Sequence, residues 1–211
     1  MLPLIGIHGK ANSGKDTLAD MLIKMDSADG MRYSFADPVK LTASSMFGIP
    51  IEHFYEREIK EIDNVFWGIS PRKMAQIVGT DMARNCFDDQ IWIKRAHIEI
   101  NNLPRISPWL KFVVIPDVRF ENEADFIRRN GGKLIHITRP DQRVIQESDH
   151  ESENGITFKD GDVQFVNGST LMELEILAKS FYLYEIEKDE HAKELIEQLL
   201  DETPEIKRSY Q

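Results

Sequence analysis

The run GIHGKANSGKDT at residues 6–17 limits this chain more than any other stretch. Gly9 and Gly14 flank four residues and Lys15 follows, the spacing G-x-x-x-x-G-K of a phosphate-binding loop. Such a loop works only between a buried strand and a helix. The strand delivers the turn to a sheet edge, and the helix N-terminus aims its free N–H groups at an anion. Both flanks are present. Leu2 to His8 is an apolar run that reads as a buried parallel strand, and Leu18, Met21, Leu22 and Met25 mark one helical face. On this reading the loop amides of Lys10, Ala11, Asn12, Ser13 and Gly14 cradle phosphate, and Lys15 reaches the β- and γ-phosphates. Asp16 stands where a Ser or Thr hydroxyl normally meets Mg²⁺. A carboxylate there is an oxygen ligand suited to that hard cation, or a helix N-terminal anion favoured by the dipole, and both roles are compatible. Thr17 offers its hydroxyl to the α-phosphate.

The pattern downstream alternates strand and helix. MRYSFAD reads as a second strand and PVKLTASSMFG as a helix opened by Pro38 and closed near Gly48. Residues from about 50 to 105 carry only helical signals, the clearest starting at Ser70-Pro71. LKFVVIPDV is a third strand, FENEADFIRRN a helix stopped at Asn130-Gly131-Gly132, and KLIHITRP a fourth strand. Residues from about 140 to 161 are polar and aperiodic and read as a long lid loop. DVQFVNG is a fifth strand, and Thr170 to Glu173 forms a capping box for another helix. Beyond it, Ala192, Leu195, Ile196, Leu199 and Leu200 make one stripe of a charged helix expected to pack on the body. The expected fold is one α/β domain over 1–211, a doubly wound parallel sheet of five strands. A helical insertion and a lid loop are added to it.

Ligands of such sheets bind beyond the carboxyl ends of the strands. The residues there are Gly9 to Thr17, Asp37 to Lys40, Asp117 to Arg119, Arg139 and Asn167, polar or charged at every strand. A strand-end Asp such as Asp117 holds Mg²⁺ or its water, or orients an acceptor; a turn Asp is the plain alternative. The planar forks of Arg119 and Arg139 match phosphate oxygens. Within the helical insertion Arg72, Lys73, Arg84, Lys94 and Arg95 are basic, Gly79-Thr80 suggests a close backbone approach, and Trp92 is either a stacking face or core.

The whole chain carries a formal net charge of −10 over 211 residues, which argues against a nucleic-acid polymer or an anionic membrane as partner. A few arginines and lysines inside an acidic protein still bind small anions. The lone Cys86 excludes an internal disulfide, fits a reducing compartment and reads as a small buried apolar residue. HESE at residues 150–153 lacks the second histidine of a zinc-protease helix. No apolar run approaches the roughly 20 residues needed to cross a bilayer.

Taken together, SGKDT, FADPVK, SPRKMAQIVGTD with IWIK, IPDVRFENEAD, GGKLIHITRP and DGDVQFVNGSTLMEL resemble the bacteriophage deoxynucleoside monophosphate kinases, in order from about residue 5 to 180. The GKDT ending is also similar to that of animal-type phosphomevalonate kinases, so Asp16 is a recurring variant of the loop. The resemblance implies a P-loop kinase that moves the ATP γ-phosphoryl group to a deoxynucleoside 5′-monophosphate with Mg²⁺. It implies that Lys15 and the loop hold ATP, with Asn167 beside them and Asp16 and Thr17 near the metal and phosphates. It implies that Asp37, Lys40, Arg72 or Lys73, Gly79, Thr80 and Trp92 meet the acceptor. Asp117 and Arg119 would stand between donor and acceptor, with Arg139 in the lid. It further implies a cytoplasmic enzyme, of the host if the origin is a phage, and leaves room for a homodimer. A kinase for another phosphorylated acceptor, or an ATP-binding switch without catalysis, stays open on the sequence alone.

Overall fold

The structure, a computed structural model, describes residues 2–25, 29–139, 155–168 and 170–189. The charged stripe from Ala192 to Leu200 and most of the expected lid loop, 140–154, lie outside the described residues.

Five strands form one sheet: β1 (Leu4–His8), β2 (Gly30–Arg32), β3 (Phe112–Ile115), β4 (Lys133–Thr138) and β5 (Val163–Val166). Their spatial order is β2-β3-β1-β4-β5 and every pairing is parallel, as expected for a doubly wound sheet. The loop-bearing strand β1 lies at the centre. Ile5 pairs with Val114 on one side and with Lys133 on the other, so the glycine turn leaves the sheet at its middle.

Side chains of a strand alternate between faces, and β1 shows it. Ile5 and Ile7 join Phe112, Val114, Ile135, Ile137 and Phe165 in one buried cluster with Leu18 and Leu22 of α1 (Lys15–Lys24). Leu174, Leu177 and Phe181 of α6 (Leu171–Phe181) complete it. On the opposite face Gly6 lies under Ile127 of α5 (Glu121–Arg129) and under Leu134 and Val118. Truncating a buried aromatic such as Phe165 to Ala costs about 3–5 kcal/mol in a core of this kind.

The chain divides into two compact units, one built from residues 1–33 and 100–211, the other from 34–99. The second unit holds α2 (Ala36–Phe47), a 3-10 turn at Ile51–Phe54 and α3 (Pro71–Gln76), which widens into a π-helical turn over Ile77–Arg84. Helix α4 (Ile91–Ile106) begins within the second unit and ends in the first. The second unit has its own small core of Ala43, Ile49, Phe54, Met74 and Val78. Ser70 caps α3 by accepting the Lys73 N–H at 3.3 Å, with Pro71 in the first turn.

Three expectations change. The second strand ends at Arg32, and α2 begins at Ala36, so Asp37 is a helical residue and not a strand end. Pro38 sits in the first turn, where its missing N–H costs nothing. Cys86 is exposed, with its thiol on the Asp81 carbonyl at 3.0 Å, two residues past the end of the π turn. Within the expected lid, residues 157–162 are tied to α5: Thr157 N–H and Lys159 bond Glu121, and Lys159 also pairs with Asp125 at 2.8 Å.

Candidate active site

The loop after β1 owes its shape to two residues in left-handed backbone, Asn12 (φ 61°) and Gly14 (φ 104°). Gly14 is required on two grounds: its φ, and an Asn167 amide that would lie 2.6 Å from any Cβ placed there. Helix α1 opens immediately afterwards at Lys15, so the donors of its first turn face the loop. The Lys15 ammonium crosses the turn and donates to the carbonyls of Gly9 at 2.5 Å and Lys10 at 2.6 Å. Lys10, Ala11 and Asn12 are exposed, whereas Ser13 is buried at 1% exposure. Its hydroxyl oxygen has no hydrogen-bond partner among the described residues. Leaving a buried hydroxyl without a bond costs about 1–3 kcal/mol, so a ligand oxygen at this spot would relieve a standing penalty.

Ser13 also lines a cavity of about 270 Å³, whose other walls are Gly9 and Lys10 of the loop, His8 from β1, and His136, Ile137, Thr138 and Arg139 at the end of β4. Lys10, Ser13 and Arg139 are therefore brought together. Asn167 is buried beside the loop and donates its side-chain amide to the Ser13 carbonyl at 2.9 Å, while its own N–H bonds Thr138 at 2.8 Å. Asp117 is half-buried and Arg119 exposed, both in the turn after β3. Their turn is fixed by Glu123, whose carboxylate accepts from the N–H groups of Arg119 (2.9 Å) and Phe120 (3.2 Å).

Asp16 and Thr17 are exposed at the start of α1. The Asp16 carboxylate is held by the guanidinium of Arg32, which also reaches Asp20 at 3.3 Å. Sequence reasoning missed Arg32 because it ran β2 on to Asp37; the residue at the true strand end is this arginine. It also passed over His8 and His136. The signal was there in both cases, a histidine set among the aliphatic residues of a strand, LIGIH and KLIHIT.

His8 donates from Nδ1 to the Val118 carbonyl at 3.0 Å, since a carbonyl can only accept. Burial holds its pKa below the ordinary histidine value, the effect of Val118 being outweighed, and His136 and Lys15 push the same way. The two rings meet edge to face, centroids 5.4 Å apart. His136 in turn bonds Asp162 at 3.0 Å, and Asp162 is clasped by Arg128 through contacts of 2.6 and 3.1 Å. Burial works to raise the Asp162 pKa, but Arg128, the Lys159 N–H and His136 together bring it below the usual carboxylate range.

The second unit carries the other expected residues. Asp37 accepts from the Tyr55 hydroxyl at 2.8 Å and lies 3.8 Å from the Lys40 ammonium, which sits 3.9 Å over the Tyr55 ring. Arg72 is paired with Glu61 at 2.9 Å, whereas the Lys73 ammonium has no partner among the described residues. Gly79 and Thr80 are buried in the π turn. A Cβ on Gly79 would come within 2.8 Å of Val39, which is the close approach that the sequence suggested. Trp92 is buried, and its indole N–H donates to the Gly79 carbonyl at 2.8 Å. Arg84, Lys94 and Arg95 bond Asp89, Asp88 and Glu99.

A glycine turn with a lysine, set between the central strand of a five-stranded parallel sheet and its following helix, defines a P-loop α/β protein of kinase type. Comparison with known proteins narrows the class. The model of the family described as deoxynucleotide monophosphate kinase matches residues 45–177. A provisionally named deoxynucleotide monophosphate kinase of Acanthamoeba polyphaga mimivirus is 38% identical, over 81% of this chain and 91% of its own. The deoxynucleoside-5′-monophosphate kinase of Escherichia phage T5 is 29% identical, over 83% of this chain and 95% of its own. The deoxynucleotide monophosphate kinase of Enterobacteria phage T4 is 32% identical, over 54% of this chain and 45% of its own. The chain belongs to the deoxynucleotide monophosphate kinase family.

Proposed function

We propose that this chain transfers the γ-phosphoryl group of ATP to the 5′-phosphate of a deoxynucleoside monophosphate. Family membership supports that reaction. The single structural observation that carries it is the loop after β1, with the Lys15 ammonium lying across its mouth and the buried Ser13 hydroxyl, unbonded among the described residues, beneath.

An oxygen of the acceptor phosphate attacks the γ-phosphorus, the bond to the bridging oxygen of the leaving ADP breaks, and two diphosphates result. The attacking oxygen is already an anion, so the protein need not remove a proton. Its work is to bring two polyanions into line and screen their repulsion. Lys15 exchanges two neutral carbonyls for the β- and γ-phosphate oxygens, a gain in charge pairing. The loop amides from Lys10 to Gly14 and the Ser13 hydroxyl hold the phosphates, and Thr17 lies one residue beyond Asp16. Arg119 and Arg139, both exposed, supply planar forks for the transferring group. Asp117 orients the acceptor. Asn167 acts through the loop, because its amide is spent on Ser13.

Mg²⁺ suits the carboxylates available. No cluster of three metal-ligating side chains occurs among the described residues, and Mg²⁺ typically takes one or two carboxylates plus phosphates and water. Asp16, with Asp117, would hold it, and when bound it supplies charge neutralisation of the phosphates. The Arg32 pair would not prevent that role, because an exposed pair is worth little by itself.

In the second unit we assign the acceptor phosphate to Lys73, whose ammonium has no partner among the described residues, and not to Arg72, which is held by Glu61. Asp37 and Lys40 line the acceptor site. Gly79, Thr80 and Trp92 shape it from within, with Trp92 bracing the Gly79 turn through its N–H. A cytoplasmic setting suits the exposed free thiol of Cys86. Among the described residues no helix is long and apolar enough to cross a membrane.

Lys15→Ala tests the mechanism. Deoxynucleotide-dependent ADP formation should fall at least 100-fold with the melting temperature held within a few degrees. Turnover near wild type would end the P-loop mechanism.

A further inference from the structure

Strands β1 and β3 run in register as far as Gly6 opposite Ile115. Beyond that last rung each strand turns into a functional segment: β1 into the phosphate loop, β3 into Pro116-Asp117-Val118-Arg119. The His8 side chain spans the gap. His8, the residue just before Gly9, donates Nδ1–H to the carbonyl of Val118, the residue between Asp117 and Arg119. Val118 is itself buried at 1% exposure, so that carbonyl has little access to water, and losing its donor would leave it costly. Pro116 has no N–H to offer a further backbone rung. Glu123 holds the far side of the same turn through the Arg119 and Phe120 N–H groups, and His8 bonds its near side.

We propose that His8 is a positioning residue for phosphoryl transfer, fixing the Asp117–Arg119 turn against the phosphate loop through the Val118 carbonyl. The inference rests on the reading of Asp117 and Arg119 given above. The imidazole is well placed for it. Its backbone is continuous with the loop that grips the donor, and its ring is braced by the edge-to-face contact with His136, which Asp162 holds in turn. A group that must keep Arg119 in line acts on the transition state more than on donor binding, and misplacement by about 1 Å can cost on the order of 100-fold in rate.

Three variants test this: His8→Leu, which removes the donor, His8→Asn, which keeps an N–H near the Nδ1 position, and Arg119→Ala. Each is measured for kcat and for KM of ATP, and His8→Leu is also combined with Arg119→Ala. His8→Leu should lower kcat about 10- to 100-fold with KM for ATP within about twofold, and His8→Asn should recover most of the loss. In the Arg119→Ala background His8→Leu should add little, because the group it positions is gone. The inference is overturned if His8→Leu keeps wild-type kcat while Arg119→Ala does not, or if His8→Asn is as poor as His8→Leu. It is equally overturned if the His8→Leu loss is the same with and without Arg119. Wild-type kcat in Arg119→Ala would instead remove the underlying assignment of Arg119 and this inference with it.

Discussion

At the scale of single residues, buried polar groups say most about this protein. His8 is the clearest case with a measurable consequence. Its folded-state pKa lies below the value near 6.5 expected for the unfolded chain, so the unfolded state binds more protons as the pH falls through that window. Stability from His8 is therefore complete above about pH 6.5 and declines on acidification toward its lower folded value. Denaturant unfolding of wild type and His8→Asn between pH 7 and pH 5 checks the sign: wild type should lose stability faster. Equal slopes would mean that His8 is not held neutral. At this scale the sequence was readable where spacing carries meaning. Gly14 and Lys15 declare themselves by their separation from Gly9. Arg32 and the burial of the Ser13 hydroxyl do not, because pairing with Asp16 or burial under a loop depends on where other segments pass.

At the scale of elements, residues 157–162 are braced against α5 by a connected cluster of ion pairs. Asp162 is almost wholly buried and faces Arg128, which is itself only 15% exposed. Asp162→Asn should cost about 2 kcal/mol, less than the roughly 3–5 of a broken, fully buried pair, since Arg128 keeps Glu121 and Asp125. Because the Asp162 pKa is depressed, its contribution is present above about pH 4 and lost as the pH drops through the folded value. The variant should accordingly show a shallower acid limb. An unchanged melting temperature in Asp162→Asn would show that the cluster is worth nothing net. Sequence reasoning treated 140–161 as one aperiodic loop, and nothing local could have revealed that Lys159 and Asp162 bond a helix some 35 residues earlier in the chain. Helix ends were easier, because Ser70 and Thr170 cap their helices by bonds three residues long. The β2 boundary failed for a physical reason: Pro38 disfavours helix at the residue before it, yet Asp37 is helical here.

The second unit offers a test at the same scale. Lys73→Ala should raise KM for the deoxynucleotide about tenfold or more while leaving KM for ATP within about twofold. Arg72→Ala should have a smaller effect, because its charge is shared with Glu61. The reverse order would transfer the acceptor phosphate to Arg72.

At the scale of the whole molecule, the alternation of strand and helix was enough to anticipate a doubly wound parallel sheet of five strands with its phosphate loop after the first, and the parallel pairing bears that out; the central place of that strand came only with the pairing order. The division into units at 34 and 99 was less legible, since α2 follows the sheet residues without a linker or a change in composition. Family membership supplies what the fold alone does not, because many P-loop proteins share this sheet and differ in acceptor. The central claim is therefore about the acceptor. The most direct test measures ADP formed from ATP with Mg²⁺, with and without each of dTMP, dGMP, dCMP and dAMP, alongside the ribonucleotides and phosphomevalonate. The account predicts stimulation by one or more deoxynucleotides, with the matching deoxynucleoside diphosphate formed in equal amount to ADP. ADP formation indifferent to every deoxynucleotide, or driven by phosphomevalonate alone, would contradict it.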